Sequence, residues 1–325
     1  MPLPPRDIIG ILSDNLRLRK SVLPISTRSV TRWAQGLHLP RGGETVLYTG
    51  QMYQLIPYIE RMVKLEEWLG DSRLAGLTGP GRRLNRVINL TAFMGRPGRQ
   101  AQEGNDRVLR NVARLLQLAG VEFGYLYEDD LYSGALAHDL GADAAVTQQA
   151  CRVQRVFKRH GVRNVITVDP HTTNMLRSVY PRLIADYGVN VRSYLEVLAE
   201  KELPIRAPIS AEVVLHDSCV YARYEQVVQE PRELLRKAGV TIKELESAGR
   251  FTLCCGGPLE SLYPRKAVAV AQKRVEQLRQ VAPEAVTMCP LCQVNLRKAS
   301  GGTLRVMDIS EYLQRAHGDL SFPSV

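Results

Sequence analysis

NVITVDPHTTNML at residues 164–176 and EAVTMCPLCQVNL at residues 284–296 lie over one another without a gap. Each opens with a short β-rich run and reaches a proline. The overlay pairs Asp169 with Cys289, Pro170 with Pro290 and Thr172 with Cys292. Four further matches follow in the same order. ETVLYTGQMY (44–53) lies over EVVLHDSCVY (212–221), pairing Gln51 with Cys219. RLLQLAGV (114–121) matches ELLRKAGV (233–240), and LYSGAL (131–136) matches LCCGGPL (253–259). The latter pairs Tyr132 and Ser133 with Cys254 and Cys255. VRSYLEVL (191–198) matches VMDISEYL (306–313). One such match could be chance, but five in order indicate a duplicated pair of domains.

Working outward, the rest of the chain alternates strand and helix patterns. Strand-like runs fall at 44–50, 121–127, 164–170, 211–218, 250–255 and 285–290. Helical stretches fall at Arg107–Ala119, Thr147–His160, Pro231–Ala238 and Arg265–Gln280. The alternation predicts an α/β fold with largely parallel sheets. Residues 92–106 carry Gly, Pro, Arg and Gln without a period and read as a loop. The boundaries expected are a helical N-terminal arm at 1–40, a first domain at 41–203 and a second at 204–325. In the arm, Asp14 or Asn15 caps a short helix before Arg17, Arg19 and Lys20, and Pro24 stops it. A second short helix runs from Ser29 to about Gly36. The basic stretch is either a solvated face or a contact for another subunit.

Composition narrows the class. A length of 325 residues suits two domains, and 45% hydrophobic residues exclude bulk disorder. No apolar run reaches the roughly 18 residues of a membrane helix. The first residues, MPLPPRDIIG, lack the order of a secretion signal. A cytoplasmic setting with reduced thiols is therefore expected, associated with a membrane only through partners. The net charge is +10, but aromatics are only 6% and do not interleave with the basic residues. No nucleic-acid partner is expected, and the charge reads as a generally basic surface or a docking face for an acidic protein.

The cysteines carry the chemistry. Cys151 stands alone in a helical pattern and reads as a small core or helix-face residue. The other five follow a pattern: Cys219, thirty-four residues, Cys254-Cys255-Gly256-Gly257, thirty-three residues, Cys289-Pro290-Leu291-Cys292. Each group closes a strand-like run, and in a parallel sheet those ends share one edge where ligands bind. Gly256 and Gly257 let the backbone approach a bulky centre, and Pro290 starts a rigid turn. Four thiolates could hold zinc, five could hold an iron–sulfur cluster, and two could form a redox dithiol. Vicinal thiolates fit one small tetrahedron poorly and a centre of several irons better.

This pattern resembles the cysteine-rich CCG domain of the B and D subunits of heterodisulfide reductase. The same domain occurs in the iron–sulfur subunits of glycolate oxidase and anaerobic glycerol-3-phosphate dehydrogenase. Members usually carry two CCG domains in tandem, in keeping with the repeat. The resemblance implies one noncubane [4Fe-4S] cluster on Cys219, Cys254, Cys255, Cys289 and Cys292, with zinc the alternative. It implies a redox subunit acting on a disulfide or other sulfur compound, or passing electrons onward. The alternative is a non-catalytic structural or assembly subunit. Partners implied are a ferredoxin-like iron–sulfur subunit and a flavin subunit.

The chain departs from the family twice. The first repeat has Gln51, Tyr132, Ser133, Asp169 and Thr172 in place of cysteines. Asp169 with His171 could hold a metal, but loops that bind nothing are the simpler reading. No ferredoxin-type CxxCxxCxxxCP run is present in the sequence. Near the cysteines, Cys254 and Cys255 with His216 are the candidate catalytic group, His216 as a donor to sulfur. Tyr221, Tyr224, His138 and His171 are weaker candidates for that role. Arg223 and Arg265 could anchor an anionic group.

Overall fold

The computed structural model describes residues 5–23, 25–70, 97–260 and 262–317. Strands β1 (Thr45–Tyr48), β2 (Gly124–Tyr125), β3 (Asn164–Thr167) and β4 (Asn190–Ser193) make one sheet, ordered β2-β1-β3-β4. Strands β5 (Ala211–Leu215), β6 (Val240–Lys243), β7 (Glu284–Thr287) and β8 (Arg305–Asp308) make a second, ordered β6-β5-β7-β8. Every pairing is parallel. The two orders coincide when β1 to β4 are laid over β5 to β8. The fold is α/β, as the alternation predicts.

Burial explains why the strands read as apolar runs. Val46, Leu47 and Tyr48 of β1 are buried, as are Val213, Val214 and Leu215 of β5. A parallel strand covered on both faces has no polar side to show. The helices are amphipathic instead. Helix Arg99–Leu118 buries Leu109, Val112 and Leu116 and exposes its charged face. Each buried leucine of this kind contributes about 1.5–3 kcal/mol.

The two halves pack through helices that follow corresponding strands. Helix Pro290–Ser300, after β7, lies on helix Met52–Gly70, after β1. Helix Pro170–Asn174, after β3, lies on the π-helical turn Tyr221–Glu225, after β5. The strand ends of both sheets therefore face a shared interior.

Several local expectations are corrected. Residues 250–255 are not a strand: Gly249–Phe251 is a 3₁₀ turn and 252–255 are irregular. Thr252 is buried, but Phe251 and Leu253 face solvent, so the run lacks a partner strand. The fourth strands are β4 and β8, from the matched segments at 191–198 and 306–313. Only Gly124 and Tyr125 of the 121–127 run pair in the sheet. The expected loop at 92–106 is helical from Arg99, and its residues 92–96 lie outside the described residues.

The N-terminal helix spans Pro5–Arg19, so Asp14 and Asn15 are buried in its interior and cap nothing. Asn15 Nδ2 instead donates to Val22 O at 3.0 Å, tying down the segment after the helix. Pro24 lies outside the described residues. The second short helix is an α-turn at Thr27–Thr31 followed by a 3₁₀ turn to Ala34. The expected N-terminal helical segment is present and docks on the first half. Leu12 and Leu16 join the core, and Arg152 donates to Leu16 O and Arg17 O at 2.9 and 2.6 Å. Among the described residues, no helix is long and apolar enough to cross a membrane.

Candidate functional site

Two of the three cysteine groups follow strands. The end of β5 runs through His216, Asp217 and Ser218 to Cys219, which opens a helical turn. The end of β7 leads to Cys289, the N-cap of helix Pro290–Ser300, with Pro290 at its first position. Cys289 holds the N-cap position, but its side chain makes no capping hydrogen bond. Its counterpart Asp169 accepts from Thr172 N at 2.9 Å. The two residues occupy the same helix-capping position, and the carboxylate makes the bond.

The third group rides on the irregular loop, and a buried ion network holds that loop in place. Arg232 makes paired bonds to Asp217 (2.7 and 2.9 Å) and to Glu244 (2.7 and 3.0 Å). Asp217 also accepts from Gly249 N at 2.7 Å, and its carbonyl accepts from Thr252 Oγ1 at 3.1 Å. Arg223 donates to Thr252 O at 2.5 Å and to Arg250 O at 3.3 Å. Cys254 and Cys255 are thereby fixed beside Cys219.

The five thiols form one unbroken series of neighbours: Cys219 beside Cys254, Cys254 beside Cys255, Cys255 beside Cys292, and Cys292 beside Cys289. Cys255, Cys289 and Cys292 are buried, and Cys219 and Cys254 are partly exposed. Contacts from the Cys219 and Cys255 thiols, aided by Gly256 N, push Cys254 down to about 2. Burial opposes charge on Cys289, but Cys292 and His171 outweigh it and hold it well below an ordinary thiol. Cys219, Cys255 and Cys292 keep their protons because each faces a neighbouring thiolate. Bound cations would discharge the remaining three.

The donor set fits a centre larger than one ion. The vicinal pair has different neighbours, Cys219 for Cys254 and Cys292 for Cys255, so the two thiols serve different parts of the group. Gly257 separates the Cys255 sulfur from Leu291: a Cβ there would meet Cys255 Sγ at 3.5 Å and Leu291 Cβ at 3.4 Å. Arg274 supplies positive charge. It is fully buried, and its hydrogen bonds go to neutral acceptors on His216, Ser247, Thr252 and Gln277. Such a cation is costly unless an anionic centre lies nearby.

His216 is buried, and burial followed by the Arg274 charge pushes it down to about 3, so it is neutral. One ring nitrogen lies within 4.8 Å of the sulfurs of Cys255 and Cys292. This sequence-predicted residue therefore lies beside two of the cysteines.

The first half is filled where the second holds thiols. Gln51, Tyr132, Ser133, Asp169 and Thr172 are all buried. Gln51 donates to Asp130 O at 2.6 Å, and Leu136 N donates to Tyr132 Oη at 2.7 Å. His171 does not join Asp169 in a metal-ligating group among the described residues. It lies 3.4 Å from Asp139 and reaches across to Cys289. Burial works against its charge, but Asp139 and Cys289 raise it well above an ordinary histidine. The cysteine-poor half thus contributes a side chain to the cysteine site.

Other candidates have different places. The Tyr221 hydroxyl meets Ser193 and Thr173 at 2.8 and 3.2 Å, away from the thiols. Tyr224 is exposed, and His138 is half-buried on helix Ala135–Asp139. Arg223 braces the cysteine loop, and Arg265 is exposed at the start of helix Pro264–Arg279. Cys151 is exposed on helix Asp143–Arg159. Sequence reasoning missed Asp217, Arg232, Asp139 and Arg274. Of these, Asp217 alone had a signal, lying between His216 and Cys219.

Comparison with known proteins agrees with this geometry. Residues 213–297 match the family model of the cysteine-rich CCG domain. The chain is 32% identical over 230 residues to an EtfAB:quinone oxidoreductase of Syntrophomonas wolfei, covering 65% of this chain and 32% of that one. It is 29% identical over 227 residues to a probable iron-sulfur-binding oxidoreductase, FadF, of Bacillus subtilis, covering 65% and 32%. It is 34% identical over 170 residues to a subunit of the fumarate reductase (CoM/CoB) of Methanothermobacter marburgensis, covering 49% and 33%. The chain spans about a third of the length of these relatives.

Proposed function

Because residues 213–297 form a cysteine-rich CCG domain, we propose that this chain is an iron–sulfur redox subunit of a heterodisulfide-reductase-like oxidoreductase complex. Cys219, Cys254, Cys255, Cys289 and Cys292 are its cluster ligands, and the cluster is a noncubane [4Fe-4S] centre. The observation that carries this reading is the unbroken series of five neighbouring thiols at the meeting of the two halves. Such a centre supplies one-electron steps and open iron positions for a substrate sulfur.

The chain's own residues have separable parts. Gly256 lets the loop pass close to the backbone of helix Pro264–Arg279, and Gly257 lies beside the Cys255 sulfur. The Asp217–Arg232–Glu244 network keeps the Cys254 loop from drifting. His216 and His171 approach the sulfurs from the second and first halves. Residues 41–203 act as a ligand-free domain that walls one side, 204–325 as the cluster domain, and 1–40 as a helical segment docked on the first. Electrons come from, or go to, a ferredoxin-like iron–sulfur protein or a flavin protein. The substrate is a disulfide or related sulfur compound. Relatives named as iron–sulfur-binding and quinone-linked oxidoreductases support the redox class.

Iron and acid-labile sulfide analysis of the chain purified without oxygen tests this. On the order of four irons per chain, with matching sulfide, is expected. One zinc and no iron would overturn it in favour of a structural site. Disulfide reduction with an artificial electron donor then separates a catalytic subunit from an assembly subunit with an intact cluster.

A further inference from the structure

His216 stands at a branch point. With Cys255 and Cys292 it could complete a metal-ligating trio, because the three donor atoms lie within 4.8 Å of one another. It could equally be a hydrogen-bond donor to those sulfurs. The roles are exclusive, since a ring nitrogen that carries a proton has no lone pair for a metal.

Arg274 decides between them. Its Nε lies 3.1 Å from His216 Nδ1. A guanidinium has only donors and stays protonated, so Nδ1 must be the acceptor. A neutral imidazole that accepts at Nδ1 carries its proton on Nε2. Nε2 is buried and has no hydrogen-bond partner within the protein among the described residues. A buried N–H without an acceptor is costly, so an acceptor is expected in front of it.

Arg274 has no freedom to turn away. Its backbone is in helix Pro264–Arg279 and its side chain is fully buried. Nη1 donates to Ser247 Oγ at 3.0 Å and to Gln277 Oε1 at 3.1 Å. Nη2 donates to Thr252 Oγ1 at 3.2 Å, on the loop that leads to Cys254. Each bond is to a neutral group, and the Asp217 carboxylate acts on the guanidinium only through space.

We infer that Arg274 is a positioning residue that fixes His216 as the Nε2–H tautomer beside Cys255 and Cys292, and so keeps it out of the metal-ligand set. In the metal-free chain that N–H has no acceptor among the described residues. In the loaded chain its acceptor is cysteine sulfur or cluster sulfide, and this step rests on the proposed function. A donor aimed at cluster sulfur favours the more negative, reduced state and raises the reduction potential.

The tautomer is read first in the full chain free of metal, labelled with nitrogen-15 in histidine, by long-range proton–nitrogen correlation. One species protonated at Nε2 is expected for His216, and the Nδ1-protonated form should appear in Arg274→Met. Protonation at Nδ1 in the wild type would overturn the inference, as would an unchanged tautomer in Arg274→Met. In the iron-loaded chain, His216→Leu should lower the reduction potential, and His216→Gln, which keeps an N–H, should largely restore it. A strongly coupled histidine nitrogen in the spin-echo spectrum of the reduced centre would make His216 a ligand and overturn the inference. A chain that takes up no iron would defeat the proposed function while leaving the tautomer result to stand or fall alone.

Discussion

Tyr53 donates a 2.7 Å hydrogen bond to Asp308, from the first helix of one half to the end of the last strand of the other. Both residues are buried. Their counterparts in the repeat, Tyr221 and Ser193, also meet, at 2.8 Å. The duplication therefore makes the same contact twice across the interface. The partners differ, because burial pushes Asp308 up to about 6 even though the Tyr53 bond pulls it down. Tyr53→Phe should destabilise the chain by about 1–3 kcal/mol, since it takes the Tyr53 donor from the buried Oδ2 of Asp308 and leaves only the Ser310 bond to Oδ1. Tyr221→Phe should cost less, about 0.5–1.5 kcal/mol, since only neutral hydroxyls are lost. Urea unfolding of both variants checks the order, and the reverse order would refute the account.

The adjacent glycines Gly256 and Gly257 should respond oppositely to alanine. Gly256 has φ +81°, and a Cβ there would stand 2.5 Å from the carbonyl oxygen of Ala267. Backbone of a helix cannot yield cheaply, so Gly256→Ala should disrupt the loop and the site. At Gly257 the nearest atoms to a Cβ are 3.4–3.5 Å away and φ is not left-handed, so Gly257→Ala should fold. Thermal unfolding compared with thiol accessibility to a labelling reagent separates them. Equal behaviour would mean that the backbone at 256 relaxes more than its contacts allow. Gly134, the counterpart of Gly256, has φ +89°, so the turn survived in the half that lacks the five site cysteines.

Much of this was legible in the sequence because the repeat is local. The match of 164–176 to 284–296 places β3 over β7 and Asp169 over Cys289, and both stand at helix N-cap positions. The same overlay brought out 191–198 and 306–313, which hold β4 and β8. The loop at 250–255 misread as a strand because its alternation comes from anchoring: Thr252 is buried by Asp217 and Arg274, not by a neighbouring strand. Helix Pro5–Arg19 was misjudged because Asp14 and Asn15 satisfy themselves inside the fold, which no local signal shows. Arg274 was invisible for the same reason. An arginine on a helix ordinarily faces water, and its burial depends on a histidine 58 positions earlier.

Asp130 gives the first half a pH dependence. It is fully buried, and burial pushes it up to about 7 despite bonds from Thr49, Tyr125 and Gly50. Between about pH 4 and 7 the folded chain holds a proton that the unfolded chain has released. Stability therefore falls as pH rises through that window and levels off above it. The full effect is on the order of 4 kcal/mol. In Asp130→Asn the term is absent, so the unfolding free energy of the variant should gain on the wild type from about pH 4 to 7. Parallel curves would mean that Asp130 is ionised throughout in the folded chain.

The last prediction concerns what the cysteine-poor half contributes to the centre. Cys151→Ser should leave iron content and visible absorption unchanged, because Cys151 is exposed on a helix of the first half. Cys254→Ser or Cys289→Ser should abolish the absorption. His171 sits between these cases. It belongs to the first half, is held by Asp139, and touches Cys289. A donor to a ligand sulfur withdraws charge from the centre without binding it. His171→Leu should therefore keep the iron but lower the reduction potential, and Asp139→Asn should move it in the same direction by less. Loss of iron in His171→Leu would make the contact essential to ligation. An unchanged potential in both variants would reduce the first half to scaffold.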